Sequence, residues 1–107
     1  ISAVNEYKIL GTSLDFLIKN RIIPQPNYIK IDVDGIEHLI LAGGLKCLKN
    51  KKLKKIIIEI NENFTKQFNL VLKILKKSGF KVYSKERAER FYASQKFNKT
   101  FNYIFTR

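Results

Sequence analysis

Two short apolar runs decide what this chain can become, because each is dense in β-branched residues and each meets acid at its far end. The first is Tyr28-Ile29-Lys30-Ile31-Asp32-Val33-Asp34-Gly35-Ile36-Glu37, bounded by Pro26 and Gly35. Its Ile29, Ile31 and Val33 have the pattern of a strand covered on both faces. The second is Lys55-Ile56-Ile57-Ile58-Glu59-Ile60-Asn61. In open α/β sheets, chemistry gathers beyond the carboxyl ends of the strands, which is where Asp32, Asp34 and Glu37 fall. Glu59 lies at the same level one strand over. Neighbouring strands run about 5 Å apart, so Asp32 and Glu59 share one pocket if the two runs pair directly.

The residues around these strands supply the connections. Residues 7–10 read as a short strand ended by Gly11, after which Thr12 or Ser13 caps a helix carrying Leu14, Leu17 and Ile18 on one face. Thr12 to Asp15 has the spacing of a capping box. Residues 21–27, with Pro24 and Pro26, form a loop. After Gly35, helical spacing holds through Ile36, Leu39, Ile40, Gly43 and Cys47 or Leu48, which puts Glu37 in a first helical turn. Gly43-Gly44 either lets a neighbour approach closely or divides this stretch into two helices. A helix over 65–78 has Phe64, Phe68, Val71, Leu72 and Leu75 as its stripe and stops at Gly79. Residues 80–84 and 101–105 then alternate as an antiparallel pair joined by a long polar segment. Helices alternating with the earlier strands indicate parallel βαβ units of right-handed crossover.

The 107 residues, 45% of them hydrophobic, have room for one packed domain. Net charge is +12, and lysines gather at Lys46, Lys49, Lys51, Lys52, Lys54 and Lys55 and again at Lys73, Lys76 and Lys77. Such a balance suits nucleic acid or an anionic membrane surface. A solvated face is the stronger reading, since both groups sit near helix C-termini, where cations complement the dipole. Against that background, five of the nine acids (Asp32, Asp34, Glu37, Glu59 and Glu62) stand at or just past two strand ends. Cys47 is the single cysteine, so neither a disulfide framework nor a cysteine metal site can form, and a reducing, cytoplasmic setting is expected. No apolar run approaches the roughly 20 residues of a membrane span.

The run KIDVDGIEHLILAGG at 30–44, followed by IIIEIN at 56–61, resembles the second half of an FkbM-type methyltransferase. The pattern of that family is K-I-D-V-E-G-x-E, a helix ending in a glycine-rich turn, and then a strand ending in Glu. Lys30, Ile31, Asp32, Val33, Gly35, Glu37, Gly43 and Glu59 fall on it, while Asp34 replaces the usual Glu. Thr12-Ser13-Leu14-Asp15 is similar to the family's T-x-L-D helix start, and Asn102-Tyr103-Ile104-Phe105 to its last strand. The resemblance spans residues 8 to 107. It implies an α/β fold: the C-terminal half of a Rossmann-like sheet, with parallel strands, helices on both faces and a closing antiparallel hairpin. Residues 1–107 then form a single partial domain whose cofactor-binding half lies outside the chain, so the piece alone is expected to be inactive. The implied cofactor is S-adenosylmethionine, and the implied partner is a small molecule with a hydroxyl to methylate, a sugar or another metabolite.

Each acid has a functional and a structural reading. Asp32 can hold the acceptor hydroxyl or the amino group of S-adenosylmethionine, or it can simply cap the following helix. Asp34 serves catalysis or the Gly35 turn equally well. The helix dipole alone accounts for Glu37, to which the resemblance adds a catalytic role. Glu59, set among isoleucines, needs a partner. Lys30 shares the strand phase of Asp32 and can neutralise the cluster. His38 is read as a surface residue. Clustered carboxylates suit Mg²⁺, but their spacing is not diagnostic and no metal ligand is assigned. Asp32-Val33-Asp34-Gly35 also resembles the D-x-D-G of a haloacid-dehalogenase-like phosphohydrolase, although that pattern wants Thr where Ile36 stands. The non-enzymatic alternative is a basic module that binds nucleic acid through its lysines and through Arg87, Arg90, Phe91, Tyr92, Lys96, Phe97 and Lys99. It leaves the acids unexplained, so nucleic acid is the disfavoured partner.

Overall fold

The computed structural model describes residues 6, 8–33, 35–87 and 99–107. Its elements are α1 (Leu14–Lys19), β1 (Tyr28–Ile31), α2 (Glu37–Ala42), α3 (Leu45–Lys49), β2 (Lys55–Asn61), α4 (Thr65–Lys77), β3 (Lys81–Arg87) and β4 (Thr100–Thr106). The strands form one open sheet in the order β1-β2-β4-β3. β1 pairs parallel with β2, from Tyr28 opposite Lys55 to Ile31 opposite Ile58. β4 lies antiparallel between β2 and β3, so the closing hairpin brackets its own second strand inside the sheet. The mixed α/β class, the parallel pair and the antiparallel closure are those expected from the sequence.

Alternation along β2 sets the layers. Ile56, Ile58 and Ile60 are buried, while Lys55, Ile57, Glu59 and Asn61 on the opposite face are half-buried. The buried trio joins Ile31 of β1, Leu41 of α2, Cys47 and Leu48 of α3, Val71 and Leu75 of α4, and Tyr103 and Phe105 of β4 in one cluster. Leu14 and Ile18 of α1 pack against the same cluster. All four helices therefore lie on one side of the sheet, and the helix layer expected on the other side is not among the described elements. For the same reason β1 is not covered on both faces: Tyr28 and Lys30 are exposed and Ile31 is buried, because β1 is an edge strand with helices on one side only.

The helix ends explain why the apolar spacing breaks where it does. Ser13 caps α1, its hydroxyl accepting the Phe16 N–H at 3.2 Å. Asp15 does not complete that capping box. Its two carboxylate oxygens instead accept the N–H groups of Lys46 and Cys47, both at 2.9 Å, and so satisfy the open start of α3 from another helix. The Gly43 carbonyl accepts the Asp15 N–H at 3.0 Å, and a Cβ on Gly44 would stand 3.1 Å from Leu14 Cδ2. The two glycines thus both divide α2 from α3 and admit α1 at close range.

Strand boundaries moved for equally local reasons. Residues 8–10 form no strand, residue 7 lies outside the described residues, and Ile9 and Leu10 are exposed. β3 begins at Lys81 rather than at Phe80, because Phe80 belongs to the stop of α4. There the Gly79 N–H bonds to the Lys76 carbonyl at 3.1 Å and the Phe80 N–H to the Leu75 carbonyl at 2.9 Å, the paired bonds of a Schellman ending. Gly79 has φ +92°, a conformation that any side chain would strain. The strand runs on to Arg87 because β4 offers partners through Phe101, with a bulge at Tyr83 between the Val82 and Ser84 pairings.

Arg107 ties these endings together. Its Nε donates to the Leu53 carbonyl at 2.9 Å, Nη1 to the Ser78 carbonyl at 2.7 Å, and Nη2 to the carbonyls of Asn50, at 3.0 Å, and Leu48. The guanidinium lies 4.3 Å over the Phe80 ring. One side chain thus satisfies the carbonyl ends of both α3 and α4. Arg107→Ala is expected to lower unfolding free energy by about 2 kcal/mol, with Arg107→Lys recovering only part, because an ammonium cannot reproduce the fork. Gly79→Ala is expected to cost about 1–2 kcal/mol through its left-handed backbone. Urea denaturation of the three variants against the parent chain checks both.

Candidate functional site

The parallel pairing of β1 with β2 brings the carboxyl ends of the two acid-tipped runs to the same edge of the sheet. The pairing ends with Ile31 opposite Ile58; Asp32 is the first residue past β1, and Glu59 is the residue of β2 that follows Ile58. Glu59 follows the buried Ile58, so alternation turns it to the face away from the helices. Asp32 is exposed and Glu59 half-buried. No strand intervenes between them. Lys30 stands opposite Ile57.

Pairing across the sheet puts Glu59 in a polar row that the sequence did not reveal. Glu59 pairs with Asn102 of β4, and Asn102 pairs with Glu86 of β3, so Glu59, Asn102 and Glu86 line up across three strands. One step on, Thr100 pairs with Asn61; it is 4% exposed, and its Oγ1 has no hydrogen-bond partner. Asn102 and Thr100 are ordinary polar residues in sequence. Only the register of β4, which depends on the hairpin closing, assigns them to this face.

The other two expected site residues are placed differently. Asp34 lies outside the described residues. Glu37 is 5% exposed in the first turn of α2, and its Oε1 accepts the Gly35 N–H at 3.4 Å. It therefore fixes the turn between β1 and α2, as the capping reading of an acid at a helix start expects. That turn favours glycine, since Gly35 has φ +85°, a left-handed backbone that side chains strain. His38 is half-buried, with its Nδ1 lacking a hydrogen-bond partner. Of the basic and aromatic residues considered for nucleic acid, 90–97 lie outside the described residues, and Arg87 stacks 5.4 Å from the Phe101 ring within the sheet.

Glu62, just past β2, anchors a second cluster on the helix side. The Tyr103 hydroxyl donates to Glu62 Oε2, and Lys85 Nζ lies 2.6 Å from the same oxygen. Lys85 also sits 4.1 Å over the Phe101 ring, and Tyr103 packs between Phe68 and Phe105 at 5.5 and 5.9 Å. Burial, with the Glu62 carboxylate alongside, pushes the Tyr103 phenol up to about 12. Hydrogen bonding to Glu62 raises Lys85 above the ordinary lysine range. Burial alone would raise Glu62, but hydrogen bonds from Lys85 and Tyr103, with the charges of Lys85 and Lys99, leave it below its usual value. Among the described residues no group of three or more His, Cys, Asp or Glu comes together as a metal site, and no helix is long and apolar enough to cross a membrane.

These shifts have a sign. Glu62, lowered in the fold, adds stability above its unfolded value of 4.5 that is lost as pH falls through the folded one. Lys85 and Tyr103, both raised, add stability below 10.5 and 10.0 that is lost as pH climbs through their folded values. Denaturant midpoints are expected to fall at both extremes, and Glu62→Gln to flatten the acid limb; equal acid limbs in the two proteins would contradict the assignment.

The family model described as methyltransferase FkbM domain matches residues 4–82, well over half of the chain. No curated protein and no solved structure matches it. The matched span takes in the Asp32-Val33-Asp34-Gly35 stretch that also resembled a phosphohydrolase motif, together with Glu37 and the second acidic strand end, which that motif left unexplained. With both strand-end acids inside the match, the chain belongs to the methyltransferase FkbM domain family.

Proposed function

We propose that this chain forms the acceptor side of an S-adenosylmethionine-dependent O-methyltransferase whose substrate is a sugar or another small hydroxylated metabolite. The observation that supports this reading is the parallel pairing of β1 with β2, whose carboxyl ends carry Asp32 and Glu59, in a methyltransferase-family chain. Methyl transfer to oxygen is an in-line displacement at the sulfonium methyl that the cofactor supplies. Positioning therefore dominates, and the acceptor oxygen must shed its proton. Asp32, exposed at the rim, accepts that proton. Glu59 receives a hydrogen bond from a second hydroxyl of the same molecule, an arrangement that suits a polyol because the two carboxylates stand on strands about 5 Å apart. Asn102 and the unpartnered Thr100 hydroxyl extend the polar floor.

Fit to the cofactor is partial. Asp32 is the described carboxylate that the alternative reading would give to the amino group of S-adenosylmethionine, and among the described residues no glycine-rich turn follows a strand to cradle the rest. The chain is accordingly read as a partial domain, with the free edge of β1 continuing into strands of a cofactor-binding half. The buried, unpaired thiol of Cys47 suits a reducing compartment, the cytoplasm.

The test is equilibrium binding of labelled S-adenosylmethionine to the full-length protein, followed by turnover on a panel of sugars. Asp32→Asn is expected to lower kcat by about 10²- to 10⁴-fold, the usual reach of a positioned base, with cofactor affinity unchanged. Glu59→Gln is expected to raise KM more than it lowers kcat. Weakened cofactor binding in Asp32→Asn would move that residue to the cofactor's amino group. Absence of cofactor binding in the parent protein would end the reading.

A further inference from the structure

Between α3 and α4 lies a cleft of about 550 Å³ lined by Leu45, Lys49, Leu70, Lys73, Ile74, Lys77 and Ser78. Its floor is apolar and its rim cationic. Leu70, Lys73, Ile74 and Lys77 follow the i, i+3, i+4, i+7 spacing of one face of α4, and Leu45 and Lys49 stand one turn apart on α3. Leu45 is 42% and Leu70 44% exposed, so apolar surface stays open to water in the middle of a basic region. No acid lines the cleft. The lysines there are consequently not paired across it, unlike Lys85 with Glu62.

We propose that this cleft is a docking site for an acidic amphipathic helix of a partner protein. Charge chooses the class: three lysines around three apolar side chains complement a helix that carries Leu or Ile on one face and Glu or Asp beside them. From Leu70 to Lys77 the cleft runs about 10 Å, two turns of the incoming helix. A second copy of this chain is a poor occupant, because a net charge of +12 sets lysine against lysine. Nucleic acid satisfies the lysines and leaves the leucines wet. A bilayer presents a flat surface that leaves a cleft unfilled. The site stands apart from the strand-end acids and does not rest on the methyl-transfer reading.

The experiment measures binding of a fluorescent two-faced peptide, Leu spaced at i and i+4 with flanking Glu, to the chain, beside a scrambled peptide of the same composition. Phosphatidylserine vesicles and a single-stranded oligonucleotide serve as competitors. The patterned peptide is expected to bind at least tenfold more tightly than the scrambled one. Leu70→Ser and the double variant Lys73→Glu, Lys77→Glu, which change exposed side chains, are each expected to weaken it at least tenfold while the circular dichroism spectrum stays that of the parent. Equal binding of patterned and scrambled peptides, displacement by vesicles or oligonucleotide at lower concentration than by unlabelled peptide, or full affinity in Leu70→Ser would each overturn the proposal.

Discussion

Burial of Ile56, Ile58 and Ile60 on a single face of β2 is the constraint from which the remaining architecture follows. Each contributes roughly 2 kcal/mol by leaving water, and together they give α2, α3 and α4 a common surface to pack on. A strand cannot bury every side chain on one side, so the residues between them, Ile57 and Glu59, must face the other way. The placement of Glu59 is thus a by-product of core packing. Whatever fixes the register of the isoleucines also fixes the face that Glu59 takes, because a slip of one residue would send it into the helix layer.

Much of this was legible because β-branched runs and helical stripes are local signals. The strand at 55–61, the helix that follows it and the stop at Gly79 read correctly from neighbours a few residues away, while the first run gave a shorter strand, Tyr28–Ile31, open on one face. Strand adjacency was inferred, and it held because a short crossover brings successive parallel strands together. What stayed hidden depends on residues distant in the chain. Asp15 looks like part of its own helix's capping box, yet it caps α3, thirty-odd residues on. Arg107 looks like a solvated terminal cation, yet its fork meets four carbonyls. No periodicity announces either contact.

The acids illustrate the same division. Counting them as one cluster at two strand ends was right in sequence and incomplete in space. Asp32 stands exposed just past β1, Glu59 lies on the open face of β2, Glu37 turns back to hold the Gly35 loop, and Glu62 joins Tyr103 and Lys85 on the helix side. Strand alternation separates Glu59 from Glu62, whereas the hairpin register recruits Lys85 and Asn102. The acids at the two strand ends had suggested one centre; the sheet distributes its carboxylates among the strand ends, turn geometry and a partly buried hydrogen-bond network.

The central position of β4 has a consequence for how the molecule comes together. As the last element of the described chain, it must slide between β2 and β3, strands already made. Until it arrives, β2 lacks one neighbour, β3 has no partner in the sheet, and the guanidinium that closes two helices is missing. Such long-range closure slows folding, since distant segments must meet before the contacts reward them. During synthesis the helices and the first parallel pair would emerge with an open seam, and the final strand would complete the sheet much as a keystone settles an arch.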